Sequence, residues 1–270
     1  MDIKMRYKGF RSKALTLSYD DGVYSDIEFI NILNKYNIKA TFNLNSGLFN
    51  KDGMYIRRLT KDEALKLYLD SGMEVAAHTA THLNLIDLDI NAAKKEIVDD
   101  IKELSRLFNT DILGFAYPFG TYNDRLVDIL KDCGIIYART TEETNDFKIP
   151  TNFLKMSTTC RHKNPKLLEL GKIYKELDSD EATLFTLWGH TYEFYKNDNF
   201  SLIEDFFKII GNDPDIYYAT NRDIVEYINA YKSLTVDKKK IINNTKVDLY
   251  LNIDGENVLL KHNTEITINN

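Results

Sequence analysis

Two adjacent carboxylates and two nearby imidazoles are the residues in this chain best suited to chemistry. Asp20 and Asp21 stand at the end of an alternating apolar run over residues 14–19, and His78 and His82 follow a second apolar stretch. Two imidazoles and a carboxylate suit a catalytic divalent metal, because zinc sites of this kind keep one position open for water. The other aspartate is then free to act as a base. Metal, water and base together suggest hydrolysis.

The composition limits the class of protein and of partner. A chain of 270 residues can bury a sizeable core, as one larger domain or as one domain with an appendage. Its net charge of −6 argues against a nucleic-acid partner, since such proteins usually carry a basic face. No apolar stretch approaches the roughly 20 residues that a transmembrane helix needs, and residues 1–13 lack the apolar core of a signal peptide. We therefore expect a cytoplasmic protein.

Strand and helix patterns alternate along most of the chain. Short apolar runs predict strands at residues 14–19, 40–45, 74–77, 113–116, 136–139, 184–188 and 216–219. Helical patterns lie at residues 26–36, 60–69, 92–108, 124–133, 165–177, 202–210 and 223–231. This alternation predicts an α/β fold with a parallel sheet, and seven repeats favour a closed or nearly closed (β/α) barrel over an open sheet. No glycine-rich phosphate loop follows the first strand, which weakens the case for the nucleotide-binding open sheets.

The pattern changes after residue 233. Residues 247–253, 257–261 and 265–268 alternate apolar and polar side chains, and Asp254-Gly255 is a hairpin turn signal. We therefore predict a barrel over residues 1–231 and a small C-terminal β appendage over residues 232–270. The appendage should pack on the barrel, because a unit of this size is not stable alone.

Further polar candidates also follow predicted strands. Residues 117–120, Tyr-Pro-Phe-Gly, come after the fourth strand, Arg139 ends the fifth, and His190 follows the strand that ends at Trp188. In α/β barrels the active site is built at the carboxyl ends of the strands. The fold prediction and the site prediction were made from different residues, and they agree.

Four motifs, taken in order, resemble those of a known family. They are Tyr-Asp-Asp-Gly at residues 19–22, His-Thr-Ala-Thr-His at 78–82, Tyr-Pro-Phe-Gly at 117–120 and Leu-Trp-Gly-His at 187–190. Together they are similar to the motifs of the polysaccharide deacetylases, the NodB-homology group of carbohydrate esterases. The resemblance covers roughly residues 14–190. It implies a distorted (β/α) barrel and the metal-dependent removal of N- or O-acetyl groups from sugars.

The resemblance also implies a role for each of the central residues. Asp21, His78 and His82 correspond to the ligands of one divalent ion, for which zinc is expected and cobalt, nickel or manganese would also suit the donor set. Asp20 corresponds to the base that takes a proton from the metal-bound water, which is the nucleophile. His190 corresponds to the acid that protonates the leaving amine.

One position departs from the family pattern. Many relatives have an arginine where this chain has Ala116, and we predict that Arg139 compensates by reaching Asp20 within hydrogen-bond distance. The other interpretation of Arg139 is an ordinary surface ion pair. His190 is expected to face the metal from the side opposite Asp20. The backbone N–H of Phe119 matches the donor that stabilises the oxyanion.

The substrate contacts have two interpretations each. Tyr117, Phe119 and Trp188 are candidate substrate-binding residues that could stack on a sugar ring, or they could simply pack at the barrel rim. His162 lies in a polar loop, where it would either line the pocket or cap the next helix.

The sequence therefore predicts a metal-dependent carbohydrate deacetylase whose substrate is an N-acetylated sugar or a short glycan. A related deformylase or a hydrolase of non-sugar amides is the alternative among enzymes. A catalytically silent carbohydrate-binding barrel is the alternative of another class. The presence of Asp20 beside the three ligand positions argues against the silent barrel, because a binding module has no use for a base next to a metal.

Overall fold

A computed structural model describes residues 1–53 and 56–268 of the chain. The strands of these residues are β1 (Ile3–Arg6), β2 (Lys13–Asp20), β3 (Thr41–Leu44), β4 (Glu74–Ala77), β5 (Gly114–Ala116), β6 (Tyr137–Glu143), β7 (Met156–Thr158), β8 (Cys160–Arg161), β9 (Thr183–Gly189), β10 (Ile216–Tyr218), β11 (Thr235–Asp237), β12 (Lys240–Asn243), β13 (Leu249–Ile253), β14 (Glu256–Leu260) and β15 (Thr264–Thr267). The α-helices are α1 (Asp26–Lys35), α2 (Lys61–Ser71), α3 (Ile90–Phe108), α4 (Asp124–Asp132), α5 (Leu167–Glu176), α6 (Thr191–Asn197), α7 (Phe200–Ile210) and α8 (Asn221–Lys232).

Strands β2 to β9 form a nearly closed parallel barrel. Their order is β7-β6-β5-β4-β3-β2-β9-β8, and β10 pairs with β2 outside this path. Only Thr159 separates β7 from β8, and its N–H donates to the carbonyl of Thr186 at 2.9 Å. This short segment bridges β6 and β9, so the barrel prediction is confirmed.

Each predicted strand and helix forms close to its expected position, but strands β1, β7, β8, β11 and β12 and helix α6 were not predicted. Strands β7 and β8 have three and two residues, too few to show an apolar pattern. Helix α6 begins directly after His190 and has only seven residues. Among the described residues, no helix combines the length and the apolar character that crossing a bilayer requires.

Local sequence explains where the elements begin and why the central strand is buried. Thr60 and Glu63 cap the start of α2 reciprocally, and the helix ends at Gly72, whose φ of 62° is in the left-handed region. All eight residues of β2 are buried, because helices cover the outside of the barrel and side chains fill its interior. Strand β2 therefore carries Asp20 from the core to the mouth of the barrel.

The C-terminal segment forms two small antiparallel sheets. One has the order β1-β13-β14 and the other β11-β12-β15. Leu249 and Leu251 of β13 are buried in the same apolar cluster as Ile224 and Tyr227 of α8. The first strand of the chain, β1, shares its sheet with β13 and β14 of the C-terminal segment. The division between residues 231 and 232 stays a prediction.

Candidate active site

A cavity of about 520 Å³ lies at the carboxyl ends of the barrel strands. Its lining consists of Asp20, Asp21, His78, His82, Tyr117, Phe119, Thr141, Glu143, Arg161, Trp188, His190 and Tyr192. Eight of the residues predicted for the site are in this lining. Two others, Arg139 and His162, are buried outside it.

The three predicted metal ligands converge within this cavity. One donor atom from each of Asp21, His78 and His82 lies within 4.8 Å of the other two. Asp21 has a φ of 87° and His82 a φ of 58°, in the left-handed region that residues with a side chain rarely adopt. Such backbone strain is common at functional sites, where the surrounding structure holds it in place.

The environment of His78 fits a role as a metal ligand. Its Nδ1 lies 2.7 Å from the carbonyl oxygen of Ala116. A carbonyl can only accept, so Nδ1 carries the proton and Nε2 keeps a lone pair. Burial, opposed by the charge of Asp20, lowers the pKa of His78 to about 4. A neutral imidazole oriented through its other nitrogen is the usual form of a ligating histidine, so these residues fit a divalent ion.

A buried carboxylate, that of Asp100, holds the backbone of His78. Asp100 accepts the backbone N–H of His78 at 2.8 Å and that of Ser46 at 2.7 Å. Burial raises the pKa of the Asp100 carboxyl to about 7. Sequence reasoning missed this residue, although a signal was present. Asp100 lies on the buried face of α3 with Ile97 and Leu104, where an apolar side chain is expected.

Arg58, which sequence reasoning also missed, contacts Asp21, another of the predicted ligands. The Arg58 guanidinium donates to the carbonyl oxygen of Asp21 and, at 3.0 Å, to the side chain of Asn45. One of its nitrogens lies 3.5 Å from Asp21 Oδ1. Arg58 stands in a loop and forms an isolated bridge with Val23, so no sequence pattern marks it.

The predicted base is a buried, ionised carboxylate. Arg139 Nη2 lies 2.5 Å from both carboxylate oxygens of Asp20, and Asn43 Nδ2 donates to Oδ1 at 2.8 Å. Burial opposes ionisation, but the charge of Arg139, with smaller contributions from His78 and His190, outweighs it and lowers the pKa of Asp20 to about 2. Arg139 is 0% exposed, so the geometry matches a partner of Asp20 and not a surface ion pair.

The predicted acid lies beside the base and not across the cavity from it. His190 Nε2 is 3.7 Å from Asp20 Oδ2 and 3.9 Å from Asp21 Oδ2. The expectation of opposite sides was wrong because β2 and β9 are neighbours in register, with Tyr19 facing Gly189. Adjacent strands are only about 4.7–4.9 Å apart, so the residues that follow them stay close.

A second carboxylate, that of Glu193, contacts His190 and several basic residues beside it. Glu193 lies 2.6 Å from Arg161, 2.8 Å from Lys163, 3.0 Å from His162 Nε2 and 3.6 Å from His190 Nδ1. Burial opposes ionisation of Glu193, but its contacts with His162, His190 and Lys163 outweigh it and hold the pKa of the carboxyl well below its usual range. Glu193 comes one turn after His190 on α6, the helix that sequence reasoning missed.

Comparison with known proteins finds a family model that resembles part of the barrel and a solved structure with the same fold. Residues 8–138 match the family model described as Polysaccharide deacetylase, and this segment contains the first three motifs. This part of the chain is similar to the polysaccharide deacetylase family. A crystal structure of a polysaccharide deacetylase homologue from Mycobacterium smegmatis has the same fold, with a TM-score of 0.63, 14% identity, and coverage of 87% of this chain and 98% of the other.

Two curated relatives match part of the chain. The YxkH protein of Bacillus subtilis is 29% identical over 133 residues, which are 48% of this chain and 45% of the relative. A poly-β-1,6-N-acetyl-D-glucosamine N-deacetylase of Staphylococcus aureus is 26% identical over 159 residues, which are 52% of this chain and 54% of the relative. The chain spans about half the length of the curated relatives it matches.

The candidate substrate-binding aromatics of the cavity differ in exposure. Phe119 is 62% exposed, and its ring centroid lies 4.8 Å from that of His82 at the cavity mouth. The Tyr117 hydroxyl donates to the carbonyl of Leu154 at 2.9 Å, so it is engaged in packing. Trp188 is only 5% exposed, and Arg139 lies over its ring, 4.8 Å from the centroid. Of these three, only Phe119 presents an open ring face.

His162 fulfils neither of its predicted roles in the barrel. It is 1% exposed, is absent from the cavity lining, and does not cap α5, whose N-cap residue is Lys166. Its ring packs 4.1 Å from that of Phe194, between centroids. A Cβ atom at Gly189 would come within 1.9 Å of its Nδ1. The imidazole therefore lies against the backbone of β9, beneath the cavity wall.

Proposed function

We propose that the protein is a metal-dependent hydrolase that removes the acetyl group from an N-acetylated sugar or a short glycan. The observation that carries the proposal is the convergence of Asp21, His78 and His82 on one cavity that also contains the ionised Asp20 and His190. The match of residues 8–138 to the polysaccharide deacetylase family model supports the reaction class. The Staphylococcus aureus relative is an N-deacetylase of poly-β-1,6-N-acetyl-D-glucosamine, which supports the choice of an amide on a sugar.

Asp21, His78 and His82 would hold the divalent ion. Zinc is the proposed ion, although the same donors also accept cobalt, nickel or manganese. When bound, such an ion supplies Lewis acidity to water and to the acetyl carbonyl. The chain contributes the orientation of the donors, because Ala116 fixes the tautomer of His78 and Arg58 holds the backbone of Asp21.

Asp20 and His190 would move the protons. The Asp20 carboxylate is ionised at neutral pH, so it can accept a proton from the attacking water. Arg139 and Asn43 fix its position through the hydrogen bonds described above. His190 would donate a proton to the amine nitrogen as the C–N bond breaks. The products are then a free amino sugar and acetate.

The remaining groups suit the acetyl and sugar parts of the substrate. Phe119 lines the cavity and has a φ of 58° in the turn over Pro118–Gly120. Its N–H would donate to the oxyanion, and removing one such donor typically costs about 10²–10³-fold in turnover. Its exposed ring would contact the sugar.

Metal content and acyl release from a substrate panel test this proposal. The panel contains N-acetylglucosamine, its β-1,6- and β-1,4-linked oligomers, N-formylglucosamine and a simple non-sugar acetamide. We expect acetate from the N-acetyl sugars, and loss of the activity on chelation with recovery when a divalent ion is added. Formate release alone would indicate the deformylase, and release from the acetamide alone would indicate a non-sugar amidase. Sugar binding without any turnover by the metal-loaded protein would indicate the silent barrel.

A further inference from the structure

A second, smaller cavity adjoins the catalytic one. It has a volume of about 200 Å³. Its lining consists of Val23, Tyr24, Ser25, Ile56, Arg57, Tyr192 and Tyr195. Tyr192 lines both cavities, so a ligand in one lies next to a ligand in the other. Whole-ligand pockets usually measure roughly 300–1,000 Å³, so this volume suits one part of a longer molecule.

Three tyrosines surround this smaller cavity. Tyr195 is 71% exposed and Tyr24 is 43% exposed, so both rings are open to solvent. Tyr192 and Tyr195 are three residues apart on α6 and therefore lie on one helix face. A single exposed aromatic is ordinary, but a group of them around a cavity next to a catalytic site indicates ligand binding.

An arginine fixes one of these rings and adds polar groups. The Arg57 guanidinium lies 3.9 Å from the Tyr24 ring centroid, and its Nη2 donates to Glu63 at 2.9 Å. The Tyr24 N–H donates to the carbonyl oxygen of Arg57 at 2.9 Å, so the two residues are held together through backbone as well as side chain. The cavity thus combines flat apolar rings with hydroxyl and guanidinium groups at its edge.

This combination matches the surface of a pyranose ring. Such a ring has C–H groups on its faces, which pack on aromatic side chains, and hydroxyls around its rim, which need hydrogen-bond partners. A lipid chain would leave the tyrosine hydroxyls without partners. A strongly anionic ligand would meet the carboxylate of Glu63, which pairs with Arg57, the cation among the lining residues.

We propose that Tyr24, Arg57, Tyr192 and Tyr195 form a tyrosine subsite that binds the sugar ring next to the acetylated one in a glycan chain. The proposal rests on the proposed deacetylase function and extends it from a single sugar to an oligosaccharide. Because α6 begins directly after His190, the chain segment that carries the acid also carries two of the subsite rings. The tyrosine subsite would therefore set the chain length that the enzyme prefers.

The test compares a monosaccharide with an oligomer in matched variants. The quantity is the kcat/KM for β-1,6-linked N-acetylglucosamine tetramer divided by that for N-acetylglucosamine. Tyr195→Ala should lower this ratio by about two- to tenfold, the usual worth of an aromatic contact, while Tyr195→Phe keeps the ring and should retain most of it. Ile173→Ala is the control, because Ile173 is 46% exposed and lines neither cavity. It should keep the wild-type ratio.

Isothermal titration of the same tetramer separates the subsite from the chemistry. The Kd of Tyr195→Ala should rise by the same factor as the kinetic ratio falls. If no sugar releases acetate, the proposed function fails, and the titration still decides the subsite. An unchanged Kd and ratio in Tyr195→Ala, or no tetramer binding by the wild-type protein, would overturn the tyrosine subsite.

Discussion

Two carboxylates approach His190 from different regions, and they are stabilised in different ways. On the base side, Asp20 is 3% exposed and meets a single guanidinium, that of Arg139. On the acid side, Glu193 is 8% exposed and is shared by Arg161, Lys163 and two imidazoles. The base side therefore depends on one guanidinium, assisted by the neutral donor Asn43, whereas the acid side distributes its charge over several partners.

The supporting elements differ in the same way. Asp20, Asn43 and Arg139 lie on β2, β3 and β6, which belong to the parallel barrel. His190 and Glu193 belong to the start of the short helix α6, outside the barrel sheet. A group held by one buried partner should respond strongly to a single substitution, and a group held by several partners should respond weakly. The following variants test that difference.

The largest effect is expected for the base itself. Asp20→Asn keeps the shape of the side chain but removes the proton acceptor, so turnover should fall by roughly 10²–10⁴-fold while the metal is retained. Steady-state kinetics on an N-acetyl sugar, together with metal analysis, measure both quantities. Turnover near that of the wild type in a metal-loaded variant would move the base to another residue.

The next effect is on stability. Arg139→Met leaves Asp20 buried without its cation, which should cost about 3–5 kcal/mol in the free energy of unfolding, measured in urea. The double variant Asp20→Asn/Arg139→Met removes both charges and should recover much of that loss. If the single and the double variant were equally stable, the base side would not depend on one charge pair.

The acid should show a smaller and substrate-dependent effect. His190→Ala should lower the turnover of an N-acetyl sugar by roughly 10²-fold, because a departing amine needs a proton. An activated acetate ester has a leaving group that needs no such help, so its hydrolysis should be largely preserved. Equal losses on the amide and on the ester would assign His190 to oxyanion stabilisation or to folding.

The smallest effect is expected at the shared carboxylate. Glu193→Gln removes one charge from a cluster that retains its other members, and partly exposed ion pairs contribute up to about 1 kcal/mol. Amide turnover should therefore fall by only about two- to fivefold, with the ester rate unchanged. A loss as large as that of His190→Ala would show that the acid side also depends on a single partner.

Much of the barrel could be predicted from the sequence because its strands are continuous apolar runs. The run that ends at Asp20 is buried along its whole length, and that pattern is visible without a structure. The closing segment Met156–Arg161 is short and polar, so no pattern marks it. Strand order also could not be predicted from the sequence, and the placement of β9 beside β2 corrected the expected position of His190.

The candidate site likewise has residues that the sequence predicts and supporting residues that it does not. Asp20, Asp21, His78 and His82 stand at strand ends within recognisable motifs, and the structure brings them into one cavity. Their supports depend on contacts between distant segments. Arg58, for example, reaches Asp21 from a loop 37 residues away. The roles of these residues and the cytoplasmic location stay predictions.

The metal content of His82→Ala tests the central claim most directly. His82 is at the edge of the site, with 23% of its side chain exposed, so the variant should stay folded. Wild-type protein should carry one divalent ion per chain by mass spectrometry, and His82→Ala should lose it with an unchanged circular dichroism spectrum. His262→Ala is the control, because His262 pairs with Asp248 on the C-terminal segment, and it should keep the ion. Full metal occupancy in a folded His82→Ala variant would contradict the account.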